Sequence, residues 1–383
     1  VVGWHIYQLT KDPLSLGLIG LAEAIPSITV TLYGGYIADK SDKKKLMIWI
    51  ILAMLLSSVV LMLVSSPEGL EYLGQKSVIL IMYLMIFFVG IARGFYSPTA
   101  FTLVAQIIPR DHYANSSTWN SGIWQVASIM GPAVGGLLYA FSGITACFVV
   151  IVSFMAMALG CIVFFVKNYP PQFVPRENIF KSLSEGIKFV FNNKMILGAL
   201  SLDMFSVFFG GAVALMPIFA HDILKVGSEG LGFMRAAPAA GAVITMFIMA
   251  RYPPMNKPWR NLLLAVAGFG LSIICFGLSR NFYLSLICLF FEGAFDSVSV
   301  IIRSTILQLL TPQEMRGRVS AVNGMFINSS NEIGAFESGA TAKLMGTIPS
   351  VLFGGTMTLI IVFFTYLKTR KLVPLGLKQI NRD

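Results

Sequence analysis

The sequence predicts an all-α membrane protein of twelve transmembrane helices in two six-helix halves, the first helix being cropped. Three observations predict it. The 383 residues are 56% hydrophobic and only 12% charged, with a mean hydropathy of +0.77. A water-soluble domain carries about 25% charged residues, so lipid rather than a polar surface is expected to cover this chain. The apolar segments are long enough to cross a bilayer as helices, and their continuity, without alternation, excludes a β-barrel. Finally, Pro109–Asn120 is matched by Pro312–Asn323, and the same offset pairs Gly131 with Gly334 and Gly136 with Gly339. Two repeats in parallel are how the halves of many transporters are related.

The apolar runs fall at 1–9, 14–38, 46–66, 77–106, 113–141, 144–166, 195–221, 228–251, 259–280, 282–310, 318–344 and 350–368. The first is too short to span and reads as the end of a helix rather than a signal peptide. The boundaries give an N-terminal half over 1–166, a linker over 167–194, a C-terminal half over 195–368 and a tail over 369–383. Within the linker, Tyr169-Pro170-Pro171 stops a helix. Beyond it Ile179, Leu183, Ile187, Val190 and Phe191 recur at helical spacing, with Lys181, Glu185 and Lys188 elsewhere on the wheel. That pattern predicts an amphipathic helix lying on a leaflet.

The net charge of +10 does not mark a nucleic-acid partner, because the basic residues sort by loop instead of gathering on one module. Lys40, Lys43, Lys44, Lys45 and Arg110 occupy one set of loops, with Lys167–Lys194, Arg251–Arg260, Arg316 and Arg318, and the tail from Lys368. The alternate loops hold only Lys11, Lys76, Lys225, Arg280 and Lys343. Positive-inside bias then predicts that the linker and the C-terminus are cytoplasmic. Cys147, Cys161, Cys275 and Cys288 all lie in apolar runs without a C-x-x-C pair and read as small hydrophobes.

Between the second and third runs lies Gly35-Tyr-Ile-Ala-Asp39-Lys40-Ser-Asp42-Lys43-Lys44-Lys45. The lysines need no role beyond topology. Asp39 does, since an acid adds nothing to that bias. Gly35, Asp39, Lys40, Asp42, Lys43 and Lys44 resemble the loop between helices 2 and 3 of the major facilitator superfamily, in the form its enterobactin-exporter branch uses. The resemblance implies the major facilitator fold, and for Asp39 a gating latch that engages the other half. Gly131-Pro132-Ala-Val-Gly135-Gly136 resembles the superfamily's antiporter motif, with Ala127 where the first Gly stands. Close helix packing explains those glycines by itself; the resemblance adds export. Thr311–Arg318 is similar to the enterobactin-exporter and macrolide-efflux branch.

Intramembrane charges carry the most chemistry, because each costs roughly 2.5–3.5 kcal/mol at the bilayer centre on insertion scales unless paired or hydrated. They are Glu23, Arg93, Asp203, Arg235, Glu292, Asp296, Arg303, Glu332 and Glu337. Glu292, Asp296 and Arg303 follow one another at spacings of four and seven, within about 40° on one helix face. Two acids one turn apart in a poor solvent do not both ionise easily, which makes them proton-coupling candidates. A fixed Asp296–Arg303 salt bridge is the alternative. Arg93 resembles the superfamily's lone arginine of the fourth helix, with Ser97 in place of the expected Gly; Asp203 and Glu23 are further candidates for contact with proton, substrate or Arg93.

Aromatic and amide residues Tyr7, Gln8, Tyr96, Asn120, Trp124, Gln125, Phe205, Asn323 and Asn328 suit the wall of a cavity for a large, flat substrate. No Walker loop, H-E-x-x-H or G-x-S-x-G occurs, so the chain is not expected to be an enzyme, nor to need a cofactor or metal. The expectation is a monomeric secondary transporter of the bacterial inner membrane. It would work by alternating access, with proton entry driving export of a siderophore or hydrophobic drug-like compound. An importer or lipid-moving relative, and a sensor that does not transport, are the alternatives.

Overall fold

The computed structural model describes residues 1–109, 113–167, 179–252, 254–312 and 315–374, and within them every regular element is helical. The helices are α1 (Val2–Thr10), α2 (Pro13–Lys40), α3 (Lys43–Val64), the short α4 (Pro67–Leu73), α5 (Gln75–Ile107) and α6 (Tyr113–Phe165). Then come α7 (Ile179–Asn192), α8 (Lys194–Phe209), α9 (Ala212–Ile218), α10 (Gly227–Arg251), α11 (Pro258–Leu278), α12 (Phe282–Leu310), α13 (Arg316–Met345) and α14 (Thr347–Lys368). Nine described segments are long and apolar enough to cross a bilayer.

Local chemistry sets the ends. Asp12 caps α2 by accepting from the Leu14 amide (3.1 Å), with Pro13 in the first turn. Asp42 caps α3 by accepting from the Lys45 amide (3.1 Å). Asn193 and Asn281 cap α8 and α12 in the same way, and each leaves fewer orphan amides at a helix start.

α6 holds two of the predicted spans. Gly143 breaks it at φ 74°, ψ −175°, in the gap between the runs at 113–141 and 144–166, and glycine takes that conformation without a Cβ clash. The seventh run was expected to be one helix over 195–221. It is instead divided at Gly210–Gly211 into α8 and α9, and ends in a π turn at Phe219–Ile223. The division is steric: a Cβ on Gly210 would lie 2.6 Å from the Phe269 ring, and one on Gly211 2.6 Å from the Ser338 hydroxyl. Only backbone fits where α8 and α9 meet α11 and α13.

The predicted amphipathic helix is α7, but its apolar face is shared. Val190 is fully buried against Ile196, Leu200, Leu307, Val319 and Val322 of the C-terminal half, while Ile187 and Phe191 stay exposed for lipid. Arg318 donates to Glu185, and α7 passes close enough at Gly186 that a Cβ there would lie 3.0 Å from the Arg318 carbonyl. The linker helix is therefore docked on the start of α13.

The helices run between two ends of the bundle, here the Asp12 face and the Lys43 face. Lipid offers helices no hydrophobic driving force to associate, so close packing and polar contacts must hold them. At the Asp12 face the halves meet through backbone-close crossings. A Cβ on Gly17 of α2 would lie 3.0 Å from the Phe336 carbonyl of α13; one on Gly136 of α6 would lie 2.7 Å from Cα of Gly232 on α10. Trp4, Tyr7 and Leu16 join Leu215, Met216, Phe219, Leu231 and Met234 in one buried core that crosses the seam.

Candidate functional site

The first element of the site is a buried ion pair. Arg303 of α12 pairs with Asp203 of α8, and both side chains are almost wholly buried. Asp203 and Asp296 line one small cavity with Ser206, Val207, Val266, Phe269 and Ser299. The salt bridge considered between Asp296 and Arg303 is thus replaced by one between helices, because Asp203 lies opposite the guanidinium while Asp296 sits two turns away on the same helix. Glu292, one turn from Asp296, is buried, and its Oε2 has no hydrogen-bond partner. Among the described residues neither Glu292 nor Asp296 is in an ion pair. A cationic partner for one acid and none for the next two is an arrangement in which the free carboxyls can hold and release protons.

The second element joins α2, α5 and α13. Glu23 pairs with Arg93, whose side chain is 52% exposed although it lies midway along α5. Glu332 of the other half comes alongside: its Oε2 would be 3.4 Å from a Cβ on Gly20, one turn from Glu23, and it lies in the field of Arg93. The fourth-helix arginine therefore faces acids from both halves, Glu23 through direct contact.

The third element closes the Asp12 face and has little signature in the sequence. Lys343 at the end of α13 donates to Asp12 at 2.7 Å. Lys11 donates to Nε2 of His221 at 2.7 Å, which leaves Nδ1–H of that imidazole to donate to Asp222. The other Asp222 oxygen accepts from the Tyr7 hydroxyl. Beside this network Tyr139 donates to Gln8 at 2.6 Å and bonds His5 at 3.0 Å. Lys11 was legible as a loop charge, and nothing in the sequence ties it or Tyr7 to His221 and Asp222, because partners more than 200 residues apart leave no local pattern.

Burial works against the Asp12 charge, but the Lys343 hydrogen bond, the Leu14 amide and the Lys343 charge overcome it and hold the carboxyl below the usual carboxylate range.

Of the loop residues, Asp42 caps α3, Lys43 is buried, and Lys44 donates to the Val163 carbonyl (2.9 Å) near the end of α6. Gly35, Asp39 and Lys40 belong to the last turns of α2, and their side chains lie outside the described set. In the Gly-Pro motif, Gly136 touches Gly232, the Pro132 carbonyl approaches it, and Gly135 lies beside Val1. A Cβ on Gly131 meets nothing within 4 Å. Of the cavity candidates, Tyr96, Gln8 and Phe205 are exposed, Asn323 is half-buried with Oδ1 unpartnered, and Tyr7 belongs to the closed seam. The side chains of Asn120, Trp124, Gln125 and Asn328 lie outside the described set.

The family model described as "Transmembrane secretion effector" matches residues 1–376. Similar curated proteins are the enterobactin exporter EntS of Escherichia coli O1:K1 / APEC and that of Shigella boydii serotype 18, each 25% identical over 91% of this chain and 86% of the relative. Among solved structures, a bacterial homolog of the human lysosomal transporter Spinster, in an inward-facing and unoccupied conformation, matches with a TM-score of 0.73 at 13% identity, over 97% of this chain and 94% of that one. The nucleoside transporter NupG matches with a TM-score of 0.71 at 14% identity, over 96% and 94%. Those likenesses show the fold.

Proposed function

Because this chain belongs to the transmembrane secretion effector family of the major facilitator superfamily, we propose that it is a proton-coupled exporter working by alternating access. Its cargo on this reading is a siderophore or a hydrophobic drug-like compound. It is a membrane transporter and not an enzyme; direction, coupling ion and cargo class are the proposal. The observation that carries it is the pairing of Arg303 with Asp203, which leaves the buried Glu292 and the half-buried Asp296 outside any ion pair among the described residues.

Lysine-rich loops support a cytoplasmic Lys43 face and a periplasmic Asp12 face, in a bacterial inner membrane and with the protein as a monomer. On that orientation the seam is closed towards the periplasm, and cargo enters from the cytoplasm. A proton from the periplasm reaches Asp296 or Glu292 when the Asp12 face opens. Its charge neutralises the acid and favours return to the state closed at that face; release to the cytoplasm resets the cycle. Relatives named as enterobactin exporters support export as the direction.

Everted and right-side-out membrane vesicles test direction. An exporter accumulates a radiolabelled catecholate siderophore or macrolide in everted vesicles energised with an inside-acid gradient, and collapse of the gradient abolishes the uptake. Gradient-driven accumulation only in right-side-out vesicles would make the protein an importer.

A further inference from the structure

α8 and α12 carry the same short pattern, Asp203-Met-Phe-Ser206 and Asp296-Ser-Val-Ser299. An acid and a hydroxyl three residues apart share one face of a helix. The two faces meet. Asp203, Ser206, Asp296 and Ser299 line one small cavity, with Val207, Val266 and Phe269 as its apolar wall. All of these residues belong to α8, α11 and α12 of the C-terminal half. At about 10 Å³ the cavity has room for one water-sized occupant.

The lining selects its occupant by hydrogen-bond capacity and charge. Ser206 is buried and donates its proton to the Leu202 carbonyl at 2.5 Å, so its oxygen can only accept from anything else. Asp203 meets Arg303 through Oδ2, and a carboxylate retains further acceptor capacity beyond one such contact. Asp296, when ionised, accepts only, and it is in no ion pair among the described residues. Ser299 is 2% exposed, and its Oγ has no hydrogen-bond partner. A buried hydroxyl left in that condition is costly, and a ligand in the cavity removes the cost. Two carboxylates against the one Arg303 guanidinium leave a single negative charge uncompensated inside the half. Oxygen ligands from two facing helices, no nitrogen or sulfur donor in the lining, and one unbalanced charge suit a small, hard, monovalent cation.

We infer that the cavity between the two Asp-x-x-Ser faces is a sodium site, with Asp203, Ser206, Asp296 and Ser299 as its oxygen ligands. Carboxylate oxygens exert a strong field, and a strong field favours sodium over the larger potassium ion. Bound sodium gives Ser299 a partner and cancels the charge that Arg303 leaves unbalanced. It also ties α8 to α12 at a second point beside the ion pair. The inference is independent of the direction and the cargo of transport. It shares Asp296 with the proton reading, so that sodium and the proton are alternative occupants of one carboxylate. Glu292, one turn away on α12, does not line the cavity and stays outside the site.

The test uses purified full-length protein in detergent at mildly alkaline pH, where carboxyls are ionised. Melting is followed as sodium chloride or potassium chloride replaces choline chloride at constant ionic strength. Sodium should raise the melting temperature saturably, at concentrations at least tenfold below those at which potassium acts. Ser299→Ala should weaken the sodium response at least tenfold, and Asp296→Asn should abolish it. Ser297→Ala, whose hydroxyl donates to the Ala242 carbonyl and not to the cavity, should keep it. Each response is read against the same variant's melting in choline, which separates loss of binding from loss of stability. Equal effects of sodium, potassium and choline on the wild type would overturn the site, as would a sodium response undiminished in Ser299→Ala and Asp296→Asn. Cargo-induced proton movement in proteoliposomes made in choline, together with no sodium response in melting, keeps proton-coupled export and removes the site. A sodium response without any cargo flux keeps the site and removes export.

Discussion

Arg303 on α12 reaches across to Asp203 on α8 and not along its own helix to Asp296. One interhelical contact thereby separates one acid from two others. Asp203 pairs with Arg303, and Asp296 and Glu292 are in no ion pair among the described residues. The division yields separate predictions for residues that share one cavity.

Breaking the pair from one side should be far more damaging than removing both partners. Asp203→Asn leaves Arg303 buried without its counter-charge, and the expected loss is about 3–5 kcal/mol of stability. The double variant Asp203→Asn, Arg303→Gln should recover a large part of it. Melting of the four proteins in one detergent completes the cycle; simple additivity would mean the two side chains do not depend on each other.

The closed seam makes a second prediction. Gly136→Val puts side-chain atoms where the Ser228 carbonyl and Gly232 already stand. It should force α6 away from α10 and raise the population open at the Asp12 face. Gly160→Ala, on the same helix at a position where a Cβ meets nothing within 4 Å, should leave that population unchanged. Distances between spin labels on α6 and α10 near the Asp12 face report both, and equal effects at the two glycines would refute the packing account.

Lys343→Gln should loosen the same face more gently. The Asp12–Lys343 contact is partly exposed, with side chains 35% and 50% accessible, so its worth is at most about 1 kcal/mol. A shift of no more than about fivefold in the open-to-closed ratio is expected. A Lys343→Glu variant, which sets two acids against each other, should shift it further in the same direction.

The pH dependence of that contact has a defined sign. Asp12 is held below its usual range in the closed state, and it loses Lys343 when the face opens. A carboxyl whose pKa is lower in one state favours that state above the ordinary pKa and stops doing so as pH falls through the depressed value. Closure should therefore be insensitive to pH near neutrality and weaken once the Asp12 face is brought below about pH 4. Asp12→Asn should remove that acid-sensitive component in the same spin-label measurement.

Much of this was legible in the sequence where the information is local to one helix. Apolar runs 113–141 and 144–166 anticipate the break at Gly143, and the spacing from Ile179 to Phe191 anticipates α7. The polarity of α13, with Asn323, Asn331, Glu332 and Glu337, keeps it from registering as a span by composition although it is 30 residues long. Relations between helices were not legible. Arg303 could be placed on a face with Asp296, but its choice of Asp203 depends on how α8 lies against α12. The break at Gly210–Gly211 depends on Phe269 and Ser338, two distant residues. Lys11, His221 and Asp222 become a network only once the halves close on each other.

The most direct test of the central claim is substrate-induced proton movement in proteoliposomes carrying a pH dye inside, with a catecholate siderophore and then a macrolide as cargo. The account predicts a proton signal in the wild type that falls by at least tenfold in Asp296→Asn or Glu292→Gln, while cargo binding persists. An undiminished signal in the double variant Asp296→Asn, Glu292→Gln would contradict it, because the proton would then travel by groups other than the two unpaired acids of α12.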